Sequence, residues 1–193
     1  MKLLAAGITT AVCISLSACA DPKEANNDNF SKAISTYLVQ AGEQCVLKGT
    51  FPRKTTQVGI KKWRALEDAG VVSVTSKSKK ADSMFGLVYT TYDLTDKGRL
   101  IFKQDKGFCY GIRELVSIKA FTKPETDGTY TLSEISYRYR ITDIPKWARG
   151  ATIQNGFPEI KAAMESDKTP LKASEIVFQG SDGWTTEMPK RKR

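Results

Sequence analysis

The chain has 193 residues, 40% of them apolar and 26% charged, with a formal net charge of +9 and no histidine. That composition belongs to a folded chain of one or two small domains, long enough to bury a sizeable core without a metal. The missing histidine excludes an imidazole general base, a Ser-His-Asp or Cys-His nucleophilic system and any His-ligated metal.

Residues 1–18 read as a signal peptide. Lys2 supplies a positive start, and Leu3 to Leu16 is an apolar run too short for a comfortable membrane span. It ends in Leu16-Ser17-Ala18-Cys19, which resembles the lipobox of bacterial lipoproteins. The resemblance implies a diacylglyceryl group on the Cys19 thiol, cleavage just before it, and anchoring by palmitate-type acyl chains. It also implies a cell-envelope address, and Ala20 in place of an Asp after the cysteine implies the outer membrane, facing the periplasm. Ala18-Cys19-Ala20 equally satisfies the small-x-small rule of an ordinary signal peptidase, with cleavage before Asp21. Residues 19–29 are so polar that they predict a lipidated, disordered tether, about 30 Å long if extended.

A first helix is expected from about Phe30 to Ala41, because Phe30, Ala33, Ile34, Tyr37, Leu38 and Ala41 recur at helical spacing. Asn29 is placed to cap it and Gly42 to end it. After Pro52 a second helix is expected over about Thr56 to Ala69, with Ile60, Trp63, Leu66 and Ala69 on one face and Gly70 as its stop. The β-branched run Val71 to Thr75 and the run Leu87 to Leu94 read as two strands of a hairpin around a basic connector.

Positive charge concentrates here: residues 48–106 hold 13 Lys/Arg against 6 Asp/Glu. The order helix, Leu66-Glu67-Asp68-Ala69-Gly70-Val71-Val72, basic loop, strand, then Tyr92-Asp93-Leu94-Thr95-Asp96-Lys97-Gly98-Arg99, resembles the later half of a winged-helix domain over residues 56–103. The resemblance implies DNA binding, with Lys61, Lys62 and Arg64 on a groove-facing helix and Lys77, Lys79 and Lys80 on the wing. An envelope address removes the chromosome as a partner, and fold does not imply function. The same six cations are then either solvated or a candidate surface for anionic partners.

The remainder is expected to be rich in strand. Phe108 to Phe121 and Thr129 to Thr142 read as long strands joined by a turn at Pro124 to Gly128. In the second, Ile135, Tyr137, Tyr139 and Ile141 alternate with Ser136, Arg138, Arg140 and Thr142, which predicts one buried face and one cationic face. Tyrosines beside cations could form a platform for nucleic acid. Sharing a face with isoleucines assigns them to the core instead. Ile144 to Ala148 suggests a turn with an anchoring Trp147. Pro158 to Ser166 reads as a short helix, Ala173 to Gln179 as a strand and Trp184 to Glu187 as a last strand. Residues 189–193 end in Lys190-Arg191-Lys192-Arg193, a basic tail suited to solvent or to anionic headgroups.

Of four cysteines, Cys13 falls in the signal peptide and Cys19 in the lipobox. Cys45 and Cys109 remain, and in an oxidising compartment they most simply form one disulfide, with two buried thiols as the alternative. No metal-ligand spacing, phosphate-cradling glycine loop or nucleophile elbow is present in the sequence, and no cofactor is expected. The expectation is an α+β fold, with a helical, winged-helix-like portion over residues 30–106 and an antiparallel β-rich portion over 107–188. The function expected is a non-enzymatic envelope lipoprotein with a basic surface towards anionic lipid, lipopolysaccharide, glycan or an envelope protein. The alternatives are a cell-wall glycan-acting enzyme using paired carboxylates, or an inhibitor or immunity-type lipoprotein.

Overall fold

The structure, a computed structural model, describes residues 21–56, 59–79 and 88–188. The segment expected to be a signal peptide, together with Cys19, Lys80 and the basic tail, lies outside these residues. The α+β class is as expected: short helices pack on one large antiparallel sheet and on a smaller three-stranded one.

Helix α1 (Asn27–Ala41) begins earlier than its apolar spacing suggests. The cap is Asn26, whose side-chain oxygen accepts from the Asn29 amide at 2.9 Å; Asn29 itself lies inside the first turn. Gly42 ends the helix at a positive φ of 65°, a conformation that favours glycine, and its amide donates to the Val39 carbonyl. Phe30, Ala33, Ile34 and Leu38 are buried as the spacing predicts.

Strand β1 (Glu43–Val46) follows, then β2 (Arg53–Thr55), α2 (Ile60–Asp68), β3 (Val72–Lys79) and β4 (Val88–Leu94). The expected β3–β4 hairpin forms, and β2 joins β4 on its other side. Helix α2 is shorter than expected and Ile60 is partly exposed, while Trp63, Ala65 and Leu66 are buried. Trp63 stacks on Tyr92 with centroids 4.8 Å apart and planes 16° apart, joining α2 to this small sheet. The Leu94 to Arg99 segment continues into helix α3 (Asp96–Ile101), capped by the Thr95 hydroxyl.

After β5 (Phe102–Lys103), the long strand β6 (Gly107–Phe121) pairs with β8 (Tyr130–Thr142), and β7 (Glu125–Asp127) folds back on β8 in the connecting turn. A 3₁₀ turn (Lys146–Arg149) leads to helix α4 (Ala151–Gly156), which sequence periodicity had not indicated. Helix α5 (Pro158–Glu165) carries proline in its first turn, as expected. Strands β9 (Leu171–Gly180) and β10 (Gly183–Thr185) complete the large sheet, whose main order is β1-β6-β8-β9-β10.

One face of β8 supplies both cores. Ile135 and Tyr137 lie with Phe30, Ile34, Val177 and Trp184 under α1. Ile141 belongs to a second cluster with Trp63, Leu66, Phe108, Phe157 and Ile160, and Tyr139 packs against both clusters. Ser166 fixes α5 to the strand: its hydroxyl accepts from the Ile141 amide at 2.9 Å and donates to the Ala163 carbonyl at 2.6 Å.

Contacts cross the boundary expected near residue 106: β1 pairs with β6, α1 packs on the large sheet and α2 packs on α4. The tether expected over 19–29 is docked from Asp21 onwards. The carbonyl of Lys23 accepts from the Trp184 indole at 3.1 Å and from the Gln179 amide at 3.0 Å. The Asn29 side chain donates to the Asp21 carbonyl at 2.8 Å. Polar composition misleads here because this segment binds through its backbone and its helix cap, not through buried apolar side chains.

The expected disulfide Cys45–Cys109 is present, between residues directly opposite each other on β1 and β6. It spans 64 residues of sequence, and its main contribution is to restrict the unfolded chain. Replacing both cysteines by alanine is expected to cost about 4 kcal/mol by the chain-entropy relation, read as a lower urea midpoint with a steeper slope, because the uncrosslinked unfolded chain exposes more surface.

Candidate functional site

The antiparallel register decides what the outer face of the large sheet displays. Residues opposite one another share a face, so Arg138 on β8 lies beside Ser117 on β6 and Lys172 on β9. Ser136 lies beside Ser174, their hydroxyls 3.1 Å apart. Two irregularities in β6, between Leu115 and Ser117 and between Ile118 and Ala120, break its alternation. Lys119, in the second, reaches this outer face. Lys168 arrives from the connection after α5.

Two adjoining shallow depressions result, sharing Lys119 and Arg138. Lys172 and Ser174 line one; Lys168, Thr169 and Ser117 line the other. Among the described residues no carboxylate pairs with any of these four cations. Arg138 is oriented by donating from Nη1 to the Pro170 carbonyl at 3.1 Å. Arg140, two residues along the same strand face, differs: it grips Glu114 through Nη2 and Nε at 2.8 and 3.3 Å, with Asp167 at 3.5 Å. Its charge is spent within the fold, whereas the charge of Arg138 is directed outwards. Four cations with neighbouring hydroxyls suit a polyanion bearing phosphate or carboxylate groups.

The cations selected from sequence lie elsewhere. Lys61 and Arg64 are exposed on α2, and Lys77 is exposed on β3. Lys62 is half-buried, 3.1 Å from Glu159 on α5 and 5.4 Å from the Phe157 ring centre, so it joins helices. The side chains of Lys79 and Lys80 lie outside the described residues. On its other side α2 meets α4 closely: a Cβ at Gly156 would stand 2.5 Å from that of Ala65. Lys119, Lys168 and Lys172 were not selected by sequence reasoning. Arg138 was placed on a cationic face by the alternation of β8.

The tyrosines of β8 are core, as expected. Tyr137 is buried, and that burial pushes its phenol up to about 12. No aromatic platform from Tyr137 accompanies the cations.

Carboxylates among the described residues are arranged differently. Among the described residues no group of three Cys, Asp or Glu side chains could hold a metal. Glu43 and Asp143 line one depression near Trp147. Glu43, however, accepts from Lys103 at 2.6 Å and has Lys106 at 3.8 Å. The Lys103 hydrogen bond leads in holding its carboxyl below the usual carboxylate range, the opposite of what a general acid needs. No described helix is long and apolar enough to cross a membrane.

No family model, curated protein or solved structure matches this chain.

Glu43 also provides a pH test. A carboxyl depressed in the folded state adds stability above the unfolded carboxylate range and loses it as pH falls through the folded value. Glu43→Gln is expected to cost at most about 1 kcal/mol at neutral pH, and nothing once pH falls well below about 4, in paired urea titrations.

Proposed function

We propose that this chain is a lipid-anchored module of a bacterial cell envelope that binds a polyanionic envelope component through the outer face of its large sheet. The observation carrying the proposal is the group Lys119, Arg138, Lys168 and Lys172, gathered without a carboxylate partner among the described residues and bordered by Ser117, Ser136, Thr169 and Ser174. The envelope address rests on the lipobox Leu16-Ser17-Ala18-Cys19. In that compartment, phosphorylated lipid, lipopolysaccharide and acidic glycan supply the matching charge.

The sheet face suits this role better than the exposed lysines of α2 and β3. Lys119, Arg138 and Lys172 rise from neighbouring strands and Lys168 from the connection after α5, so four cations meet on one face, whereas Lys61, Arg64 and Lys77 are spread over α2 and β3. Lys62, by contrast, is occupied with Glu159.

Binding to purified lipopolysaccharide and to phosphatidylglycerol vesicles, measured against salt, tests the reading. Arg138→Ala with Lys172→Ala is expected to remove about 2 kcal/mol, roughly thirtyfold in affinity, and to flatten the salt dependence. Lys61→Ala with Arg64→Ala and Lys77→Ala is expected to change little. The reverse pattern would move the site to α2 and β3, and the absence of salt-dependent binding by the wild type would end the proposal. The anchor has its own assay: Cys19→Ser is expected to abolish incorporation of a labelled lipid precursor, and persistent labelling would refute the lipobox reading.

A further inference from the structure

The docked N-terminal segment determines which end of the domain a lipid anchor would hold. From Asp21 onwards the chain is fixed to the tip of the large sheet. Lys23 and Glu24 offer their carbonyls to the Trp184 indole at 3.1 and 3.2 Å, and Gln179 donates to Lys23 at 3.0 Å. Pro22 lies so close to Gly183 that a Cβ there would stand 2.9 Å from the Pro22 carbonyl oxygen. Just inside, Phe30 packs between Phe121 and Trp184, with ring centres 4.8 and 5.0 Å away. The Asp21–Glu24 segment, the start of α1 and the β9–β10 turn therefore form one built end.

Only Ala20 lies between that end and the acylated Cys19. Two residues reach at most about 7 Å, against the roughly 30 Å of an undocked ten-residue tether. We infer that the end formed by Asp21–Glu24 and the Ser181–Asp182 turn sits directly against the bilayer that holds the acyl chains. The inference rests on the lipid-anchor reading and adds an orientation to it.

The opposite end of the sheet is then distal. Phe121 pairs with Ile135 near the anchored end, and β6 runs back from there to Gly107 at the β5–β6 turn. Its 15 residues make roughly 45 Å of strand. The described anchored end is not itself basic: Asp21, Glu24, Asp28, Asp182 and Glu187 outnumber Lys23 and Lys32. Attraction of these side chains to headgroups would not select it. The short covalent link would.

The test uses the processed, lipidated protein in phosphatidylethanolamine–phosphatidylglycerol vesicles that carry a headgroup quencher. A fluorophore is placed at Asp182→Cys in one sample and at Gln104→Cys in another. Both sites are exposed, and they lie at opposite ends of the sheet. Quenching several-fold stronger at position 182 is expected, as is loss of that contrast when a long Gly-Ser spacer is inserted between Ala20 and Asp21. Equal quenching at the two positions, stronger quenching at 104, or a contrast unaffected by the spacer would overturn the inference. Lipid-precursor labelling of the same samples separates the two readings. Unlabelled protein fails the anchor proposal, whereas labelled protein with even quenching fails only the orientation.

Discussion

The antiparallel pairing of β6 with β8, from Ile112 opposite Thr142 to Phe121 opposite Ile135, is the interaction around which the other elements are arranged. Side chains alternate along each strand, so burying Ile135, Tyr137, Tyr139 and Ile141 on one side leaves Ser136, Arg138 and Arg140 on the other. The inner side meets α1 at one end and the α2, α4 and α5 cluster at the other. On its other edge β6 pairs with β1, setting Cys109 against Cys45, and Phe121 packs against Phe30 of α1. A slip of one residue would exchange both faces, exposing the core and burying the arginines.

The cationic face is thus positioned by core packing but not neutralised by it. Arg140 is drawn into a bidentate pair with Glu114, an ordinary way to settle an exposed charge on a sheet. Arg138 has Lys172 as its cross-strand neighbour, and like charges opposite each other are mildly unfavourable. A polyanion bound there would relieve that repulsion, which favours a ligand-binding role for this face over a purely solvated one. The cations of α2 show no such convergence: Lys62 serves packing between helices, and Lys61 and Arg64 face solvent.

The Asp21–Glu24 segment and β10 meet at one end of the sheet for a different reason. Trp184 needs a hydrogen-bond acceptor for its indole once it is buried against Phe30. The carbonyls of Lys23 and Glu24 provide it. An aromatic cluster thereby converts a polar segment into a fixed connection without burying its side chains.

Local patterns in the chain were enough to identify α1, α5, the β3–β4 hairpin and the two long strands, because each rests on periodicity or on a stop signal such as Gly42 or Gly70. The Cys45–Cys109 pair followed from counting cysteines, and the apolar and cationic faces of β8 from period-two alternation alone. The resemblance of Leu16-Ser17-Ala18-Cys19 to a lipobox is likewise read from linear sequence. Tertiary structure decided what depends on neighbours distant in sequence. Lys119 reaches the outer face because irregular pairing breaks the alternation of β6, and Lys172 joins Arg138 only through the β8–β9 register. Lys168 is brought in by the connection after α5. Asp21–Glu24 looked like a tether because its contacts are made by backbone carbonyls, which composition does not reveal. Residue type determined which surfaces could be buried; strand register and backbone hydrogen bonding determined which charges meet and which end of the fold the N-terminus holds.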